Sequence, residues 1–329
     1  MESVIHMIIL SMLLAVAIAI VRIRDLFAVV MLAGIYGLLS ATFFVLMDAH
    51  DVAFTEAAVG AGISTLLMLT ALSMTGRYST TTVNYRPVLA LSLVVLTGAL
   101  LIFGTTDLPS FGDPQAPVHT HVAPRYLHES VNEIDIPNAV AAVLASYRGF
   151  DTFGEVVVIF TAGIGVLALL MRSPVNTAVA DTVASMRDHV VLRVVAKMLI
   201  PLILLFGLYV QFHGEYGPGG GFQAGVIFAS AFFLYAMLFG LSAARKVINM
   251  TAVQLLSALG VLIYGSVGVI SMLNGHNFLD YDALAANPID GQHYGIILVE
   301  LGVGITVASV MIIIFFTFSS RSQKEGDSD

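Results

Sequence analysis

Charged side chains within long apolar runs are the residues of this sequence best suited to carry ions or protons. An ionisable group at the centre of a membrane-spanning helix costs about 2.5–3.5 kcal/mol on insertion scales, so it needs a partner, a water-filled cavity or a function. A buried lysine is also the basic side chain whose pKa shifts most readily. Five residues are therefore candidates for an ion or proton path: Glu56, Asp151, Glu155, Lys197 and Glu300.

Glu56 and Glu300 stand within apolar runs and are followed by small residues on the same helix face. Gly60 and Ser64 lie four and eight residues after Glu56, and Glu300 is followed at the same spacings by a glycine and an alanine. Small side chains let a neighbouring helix or water approach the carboxylate. Both glutamates are predicted to lie on the path; the alternative is that each is satisfied by a hydrogen bond to a partner subunit.

The segment after Glu56 contains two glycines within one helical turn, Gly60 and Gly62. Each glycine destabilises a helix interior by about 1 kcal/mol relative to alanine. A π-bulge or local unwinding would make use of this weakness, because wide turns expose backbone carbonyls and concentrate at functional sites. We predict that the two glycines form a hinge. The alternative is that they only allow close helix packing.

Charged residues also stand near the starts of two other apolar runs. Arg148, Asp151 and Glu155 are spaced three and four residues apart, so they project from one side of a helix. The first two are typical of an interfacial ion pair, which leaves Glu155 as the freer acid. Lys197 lies one to two turns inside the sixth run. It is predicted either to modulate a neighbouring acid or to extend its ammonium group to the cytoplasmic surface.

The chain that holds these residues is too apolar for a soluble domain. Hydrophobic residues make up 58% and charged residues 11% of its 329 residues, and its mean hydropathy is +0.92. Runs long enough to span a bilayer as helices recur from end to end, without the alternation of β-barrel strands. The sequence predicts an all-α, polytopic membrane protein with about nine spans: 4–21, 26–47, 52–74, 88–104, 150–171, 192–212, 222–243, 252–273 and 291–318.

Basic residues fall mainly in alternate connections between these runs and in the C-terminal tail. Examples are Arg22, Arg77, Arg187, Arg245 and Arg321. By the positive-inside rule these connections face the cytoplasm. The N-terminus is therefore predicted outside and the C-terminus in the cytoplasm.

The connections carry further predictions. The outer connection 105–135 contains four prolines and is predicted to be an extended loop. Pro137 then opens a short amphipathic stretch with Val140 and Leu144 at helical spacing, which predicts a surface helix. The glycine-rich segment 217–222 is interpreted as the tight start of a helix rather than as an anion-binding loop.

The sequence gives little support for cofactor chemistry. His119, His121 and His128 have a spacing that could hold a metal, but solvated loop histidines are the preferred interpretation. The chain has no cysteine, which excludes thiolate-bound zinc and cysteine-ligated iron–sulfur clusters within it. We expect no metal, no cofactor and no nucleic-acid partner.

Three motifs resemble modules of ion-transporting membrane complexes. Residues 51–62 (DVAFTEAAVGAG) resemble the third helix of an MbhD-type module, and residues 148–155 (RGFDTFGE) resemble an MbhE-type module. Residues 218–225 (PGGGFQAG), with Lys197 upstream and the motif ELGV at Glu300 downstream, resemble the MrpB-type module of Mrp-type multisubunit Na+/H+ antiporters. The implied modules are 1–104 (MbhD-like, four spans), the loop 105–135, 136–173 (MbhE-like, surface helix and one span), a cytoplasmic linker 174–190, 191–319 (MrpB-like, four spans) and a polar tail 320–329.

The resemblance implies a membrane subunit of a multisubunit monovalent cation (Na+)/proton antiporter in a bacterial or archaeal cell membrane. Such a protein contributes to the path of Na+ or H+ and to assembly with the other Mrp-type subunits, and it is not an enzyme. The alternatives are a membrane-arm component of a membrane-bound hydrogenase or complex I-like oxidoreductase, and a purely structural scaffold. One departure is that we expect relatives to carry glutamine in place of Glu56 and glutamate in place of Gly60, which moves the acid by one turn.

Overall fold

The computed structural model describes residues 2–80, 86–110, 112–170 and 190–322. Within these ranges the regular structure is helical, apart from one isolated β-bridge between Asp25 and Tyr78. The predicted all-α membrane architecture is confirmed, whereas its orientation stays a prediction. Nine of the described helices are long and apolar enough to cross a membrane, and we label them α1–α9: Glu2–Arg22, Leu26–Leu46, His50–Leu72, Pro87–Thr105, Gly149–Leu170, Val190–His213, Gly221–Phe239, Met250–Leu273 and Pro288–Ser322.

The helices agree with the predicted spans to within a few residues, and the seventh shows why one boundary differs. The sequence predicts a span that continues to residue 243, whereas α7 ends at Phe239. Gly240 follows with a φ of 90°, which L side chains rarely adopt, and a separate short helix, Leu241–Val247, begins after it. Most of the predicted linker 174–190 and of the predicted tail lies outside the described residues.

Helix α9 is the centre of the fold. It packs against α5, α7 and α8, and 61% of its most apolar segment is buried, compared with none of the corresponding segment of α4. Glycines allow the close approach: a methyl group at Gly225 of α7 would lie 2.7 Å from the carbonyl oxygen of Gly304 on α9. A methyl group at Gly260 of α8 would overlap Gly302 and Thr306 of α9. Small residues at such crossings let helix backbones pack closely in a membrane.

The connection 105–135 differs from its prediction, because its second half is not an extended loop. Short helical turns occupy Pro117–Thr120, Arg125–Glu129 and Ser130–Ile134. Proline breaks a helix from its interior but suits its first turn, which is where Pro117 stands. Ile136, just after these turns, is fully buried, so the connection is packed against the helices rather than free of them.

The predicted surface helix is present, but its start and its buried face differ from the prediction. Asn138, not Pro137, caps it, because the Asn138 side chain accepts hydrogen bonds from two following backbone N–H groups. The helix continues as the π-helical segment Ala142–Tyr147. Its buried face is made of alanines, whereas Val140 and Leu144 are exposed. The small alanine side chains let this segment pack closely on α5 and α9.

The crossing of α7 and α9 generates the first prediction. Gly225→Val should destabilise the fold, because overpacking at a close contact typically costs about 1–3 kcal/mol. The measurement is the thermal midpoint of unfolding of the purified complex in detergent. Gly98→Val in α4 is the matched control, since a Cβ at Gly98 meets nothing within 4 Å. Equal midpoints for both variants would contradict the importance of this crossing.

Candidate functional site

A cavity of about 320 Å³ lies between α3, α5, α7 and α9 and beside the surface helix. Most of its wall is apolar, formed by residues such as Val156, Ile159 and Val303. Polar side chains interrupt this wall, and they are the groups that could receive an ion, a proton or water. These are Asp51, Thr55, Thr152, Glu155, Gln223, Tyr264 and Glu300.

Glu300 is held against a turn of glycines between α6 and α7. A Cβ at Gly220 would lie 3.1 Å from Glu300 Oε1, and one at Gly214 would lie 3.3 Å from Oε2. Gly221 packs so closely on the Glu300 backbone that a side chain there would overlap its carbonyl oxygen. Gly220 also has a φ of 113°, a conformation that favours glycine. The glycine-rich sequence therefore lets the start of α7 close over the carboxylate.

Asp51 accepts hydrogen bonds from one backbone N–H of this turn and from the Asn138 side chain. The backbone N–H of Gly219 donates to Asp51 Oδ1 at 3.2 Å, and Asn138 Nδ2 lies 3.4 Å from Oδ2. Asn138 Nδ2 also donates to the carbonyl oxygens of Gly214 and Gly217, at 2.9 and 3.0 Å. The segment is thus the tight start of a helix, as the sequence predicts, and a carboxylate of the same chain satisfies it.

Gln223 joins α7 to α3. Its Nε2 donates to Thr55 Oγ1 at 2.8 Å, and its carbonyl oxygen, Oε1, takes no part in this hydrogen bond. A Cβ at Gly220 would lie 3.7 Å from Gln223 Oε1 and 3.1 Å from Glu300 Oε1. An amide oxygen and a carboxylate oxygen therefore flank the same glycine. Oxygen donors of this kind bind hard cations and protons.

Two tyrosines fix the wall formed by the surface helix and the start of α5. The Tyr281 hydroxyl donates to the Ala145 carbonyl oxygen at 2.8 Å, and the Tyr264 hydroxyl donates to that of Gly149 at 2.7 Å. Burial raises the pKa of Tyr281 well above its usual value, so its hydroxyl stays a donor. These bonds hold a wall of the cavity in a defined position.

The structure brings together only some of the five predicted site residues. Glu155 and Glu300 line the cavity. Asp151 pairs with Arg148 at 2.6 Å on the exposed side of α5, as expected for an ion pair. Lys197 is exposed, with its Nζ 5.9 Å from the ring centroid of Phe239.

Lys197 is therefore far from the acids of the cavity. Lys197 lies at Phe239, the last residue of α7, whereas the glycine turn that covers Glu300 leads into the first residue of α7. Eighteen residues of α-helix separate the two ends by about 27 Å. The structure does not support the prediction that Lys197 modulates one of these acids.

Glu56 points along its own helix rather than into the cavity. The segment Ala57–Ile63 is a π-helix, the wide geometry that its two glycines predict. The Glu56 carboxylate folds back over Gly60 so closely that a methyl group there would overlap it. Gly37 of α2 packs on the Gly60 backbone, and a Cβ at Gly37 would lie 2.7 Å from the Gly60 carbonyl carbon. The missing side chain of Gly60 therefore leaves room for the Glu56 carboxylate, and that of Gly37 allows the approach of α2. A methyl group at Gly62, by contrast, would lie 3.5 Å from the Ala57 carbonyl oxygen, at ordinary contact distance.

Several residues of the site were not predicted. Asp51 was assigned to a connection, although its spacing of four from Thr55 puts both on one face of α3. Gln223 lies within a motif that carried the resemblance, but no single-sequence signal gave it a role. Asn138 contributes through contacts more than 75 residues away along the chain, which local patterns cannot indicate.

Three family models match consecutive parts of the chain. A domain related to the MnhB subunit of Na+/H+ antiporter matches residues 191–313, and the MBH subunits MbhD and MbhE match residues 11–77 and 91–186. The putative antiporter subunit mnhB2 of Staphylococcus aureus (strain Newman) is 35% identical over 135 residues, which are 40% of this chain and 95% of that protein. This chain belongs to the MnhB family.

Two solved structures resemble this MnhB-family chain. A chain of the Mrp complex from Dietzia sp. DQ12-45-1b matches with a TM-score of 0.75 and 25% identity over 95% of this chain. The chain spans about a third of that protein, 34% of its length. A chain of an archaeal membrane-bound sulfane sulfur reductase matches with a TM-score of 0.51 and 30% identity, over 69% of this chain and 97% of that one. The cavity combines residues from all three family segments: Asp51, Glu155 and Glu300 come from one each.

The π-helix generates the second prediction. Gly62→Ala should favour α-helical geometry without a clash, so ion exchange by the assembled complex should fall several-fold while assembly is unchanged. Gly37→Ala in α2 is the comparison variant and should impair packing of α2 on α3, because its Cβ would lie 2.7 Å from the Gly60 backbone. Exchange is measured in everted vesicles and assembly by copurification. Normal exchange by the Gly62→Ala complex would show that the π-helix is not a hinge.

Proposed function

We propose that this chain is a membrane subunit of a multisubunit Na+/H+ antiporter. We further propose that the Glu300 carboxylate binds a proton or a sodium ion on the transport path. The observation that carries this proposal is the placement of Glu300 in a cavity with Asp51 and Gln223, beneath a turn whose glycines lie against its carboxylate oxygens. Glu300 is twelve residues into α9, about 18 Å along the helix from its start. A carboxylate at that depth needs a proton, a cation or a water-filled cavity.

The chemistry of exchange follows from competition for one carboxylate. A proton and a sodium ion each neutralise Glu300, and both cannot occupy it together. Release of one therefore permits binding of the other. Such a site transports without making or breaking bonds other than those to the proton, so the proposed activity is not enzymatic.

Partners of the chain are proposed from its uncovered helices. No residue of α4 is buried by the rest of the described chain, and α1 is almost wholly uncovered. We propose that these faces contact lipid and the other subunits of a Mrp-type complex in a bacterial or archaeal cell membrane. The modules 1–104, 136–173 and 191–319 then act as one unit, because the cavity draws a wall from each.

A second candidate has a specific observation in its favour. This chain spans nearly all of a chain of the sulfane sulfur reductase, and two of its family segments are MBH subunits. The same path would then be driven by redox chemistry elsewhere in the complex. Purification of the complex distinguishes the two, since iron–sulfur absorption and cysteine-rich partners would favour the redox complex.

The site generates the third prediction. Glu300→Gln keeps the side chain's shape but removes its titratable charge, so Na+/H+ exchange by the complex in everted vesicles should fall by about tenfold or more. Asp290→Asn, in the exposed first turn of the same helix, should leave exchange unchanged. Full exchange by the Glu300→Gln complex would refute the proposed site and favour the scaffold alternative.

A further inference from the structure

Three titratable side chains outside the cavity lie between the protein surface and Glu300. His293 Nδ1 lies 3.3 Å from Glu215 Oε2, and His293 Nε2 lies 4.0 Å from Asp135 Oδ2. One imidazole nitrogen therefore faces each carboxylate. This arrangement suits a group that accepts a proton on one side and donates one on the other.

The three side chains become progressively less exposed toward the interior. Their exposed fractions are 66% for Asp135, 26% for His293 and 12% for Glu215. Asp135 is thus in contact with solvent, and Glu215 is shielded from it. The three side chains therefore form a series that begins at the solvent-exposed Asp135 and ends at the buried Glu215.

Glu215 has an unused polar atom at the buried end. As a whole residue it is 9% exposed, and its Oε1 is buried without a hydrogen-bond partner among the residues that the structure describes. A buried polar atom without a partner is costly, so its retention calls for an explanation.

Glu215 is adjacent to the site of Glu300. It follows Gly214, against which Glu300 Oε2 lies, and it is close enough to act electrostatically on Glu300. His293 and Glu300 are seven residues apart on α9, two turns along one face and about 10 Å apart in rise. Glu215 therefore lies beside the stretch of α9 that joins them.

A purely structural role does not account for the His293–Glu215 contact. Asn138 already fixes the loop that carries Glu215: its N–H donates to the Glu215 carbonyl oxygen at 3.1 Å, and its side chain holds Gly214 and Gly217. Two other acids near this surface have partners of their own. Glu133 is bound by Arg125 and Tyr147, and Asp282 accepts from Gln292.

We propose that Asp135, His293 and Glu215 form a proton relay between the surface and Glu300. The relay rests on the proposed function of Glu300. A proton passes from Asp135 through one bridging water to Nε2 of His293, since the two atoms are 4.0 Å apart, and the proton on Nδ1 passes to Glu215. Glu215 then transfers its proton to Glu300 directly or through water. The histidine is left neutral with its proton on Nε2, and it returns to its starting tautomer before the next proton passes.

The test uses the assembled complex in membrane vesicles. His293→Gln keeps hydrogen bonding but cannot carry a proton, so Na+/H+ exchange should slow by about tenfold or more. His293→Ala should slow exchange similarly, and free imidazole added to the medium should restore it several-fold, which a structural role would not allow. His276→Gln is the control, since His276 is exposed, pairs with Asp280 and is not part of the relay.

Unchanged exchange by the His293→Gln complex, with exchange lost in Glu300→Gln, would overturn the relay and leave the proposed function standing. Unchanged exchange in both variants would overturn both. If His293 variants do not assemble, Asp135→Asn decides, because asparagine accepts the left-handed backbone of that position (φ 61°). Slower exchange by an assembled Asp135→Asn complex supports the relay, and normal exchange overturns it.

Discussion

The close contact between the glycine turn before α7 and the Glu300 segment of α9 is the constraint on which the site depends. Gly221 lies against the Glu300 backbone, and Gly214 and Gly220 lie against its carboxylate. Side chains at these positions would push the two helices apart and separate Glu300 from Gln223. The same turn directs the N–H of Gly219 toward Asp51 on α3. The glycines of this turn therefore bring Glu300 of α9, Gln223 of α7 and Asp51 of α3 to one site.

The central position of α9 explains how such a site can exist in a chain whose first six spans are largely exposed. Glycine crossings pack α7 and α8 onto α9, and this packing buries more than half of its apolar segment. A rigid central helix holds Glu300 in place, while the π-helix of α3 introduces a weak segment nearby. Helices such as α4 remain available to lipid or to other subunits. The rigid part of the chain is thus α9, and the adaptable part is the π-helical segment of α3.

Sequence reasoning predicted what local patterns determine. Apolar run length gave the nine spans, and paired glycines gave the wide turn of α3. Glu300 was predicted because a charge in an apolar run is costly wherever it packs. Asp51 was not, because its partner Gly219 lies 168 residues away. Proline content misled at 105–135, because prolines also begin helices. Lys197 was included because it is a charge in an apolar run, although it stands at the opposite end of α7 from the glycine turn over Glu300.

Carbodiimide labelling of the assembled complex tests most directly whether Glu300 exchanges a proton for a sodium ion. Dicyclohexylcarbodiimide reacts with protonated carboxyl groups in apolar surroundings, and mass spectrometry locates the modified residue. The account predicts that Glu300 is labelled in the absence of Na+ and that added Na+, but not added choline, lowers its labelling several-fold. Labelling of Glu300 that is absent, or that is unaffected by Na+, would contradict it.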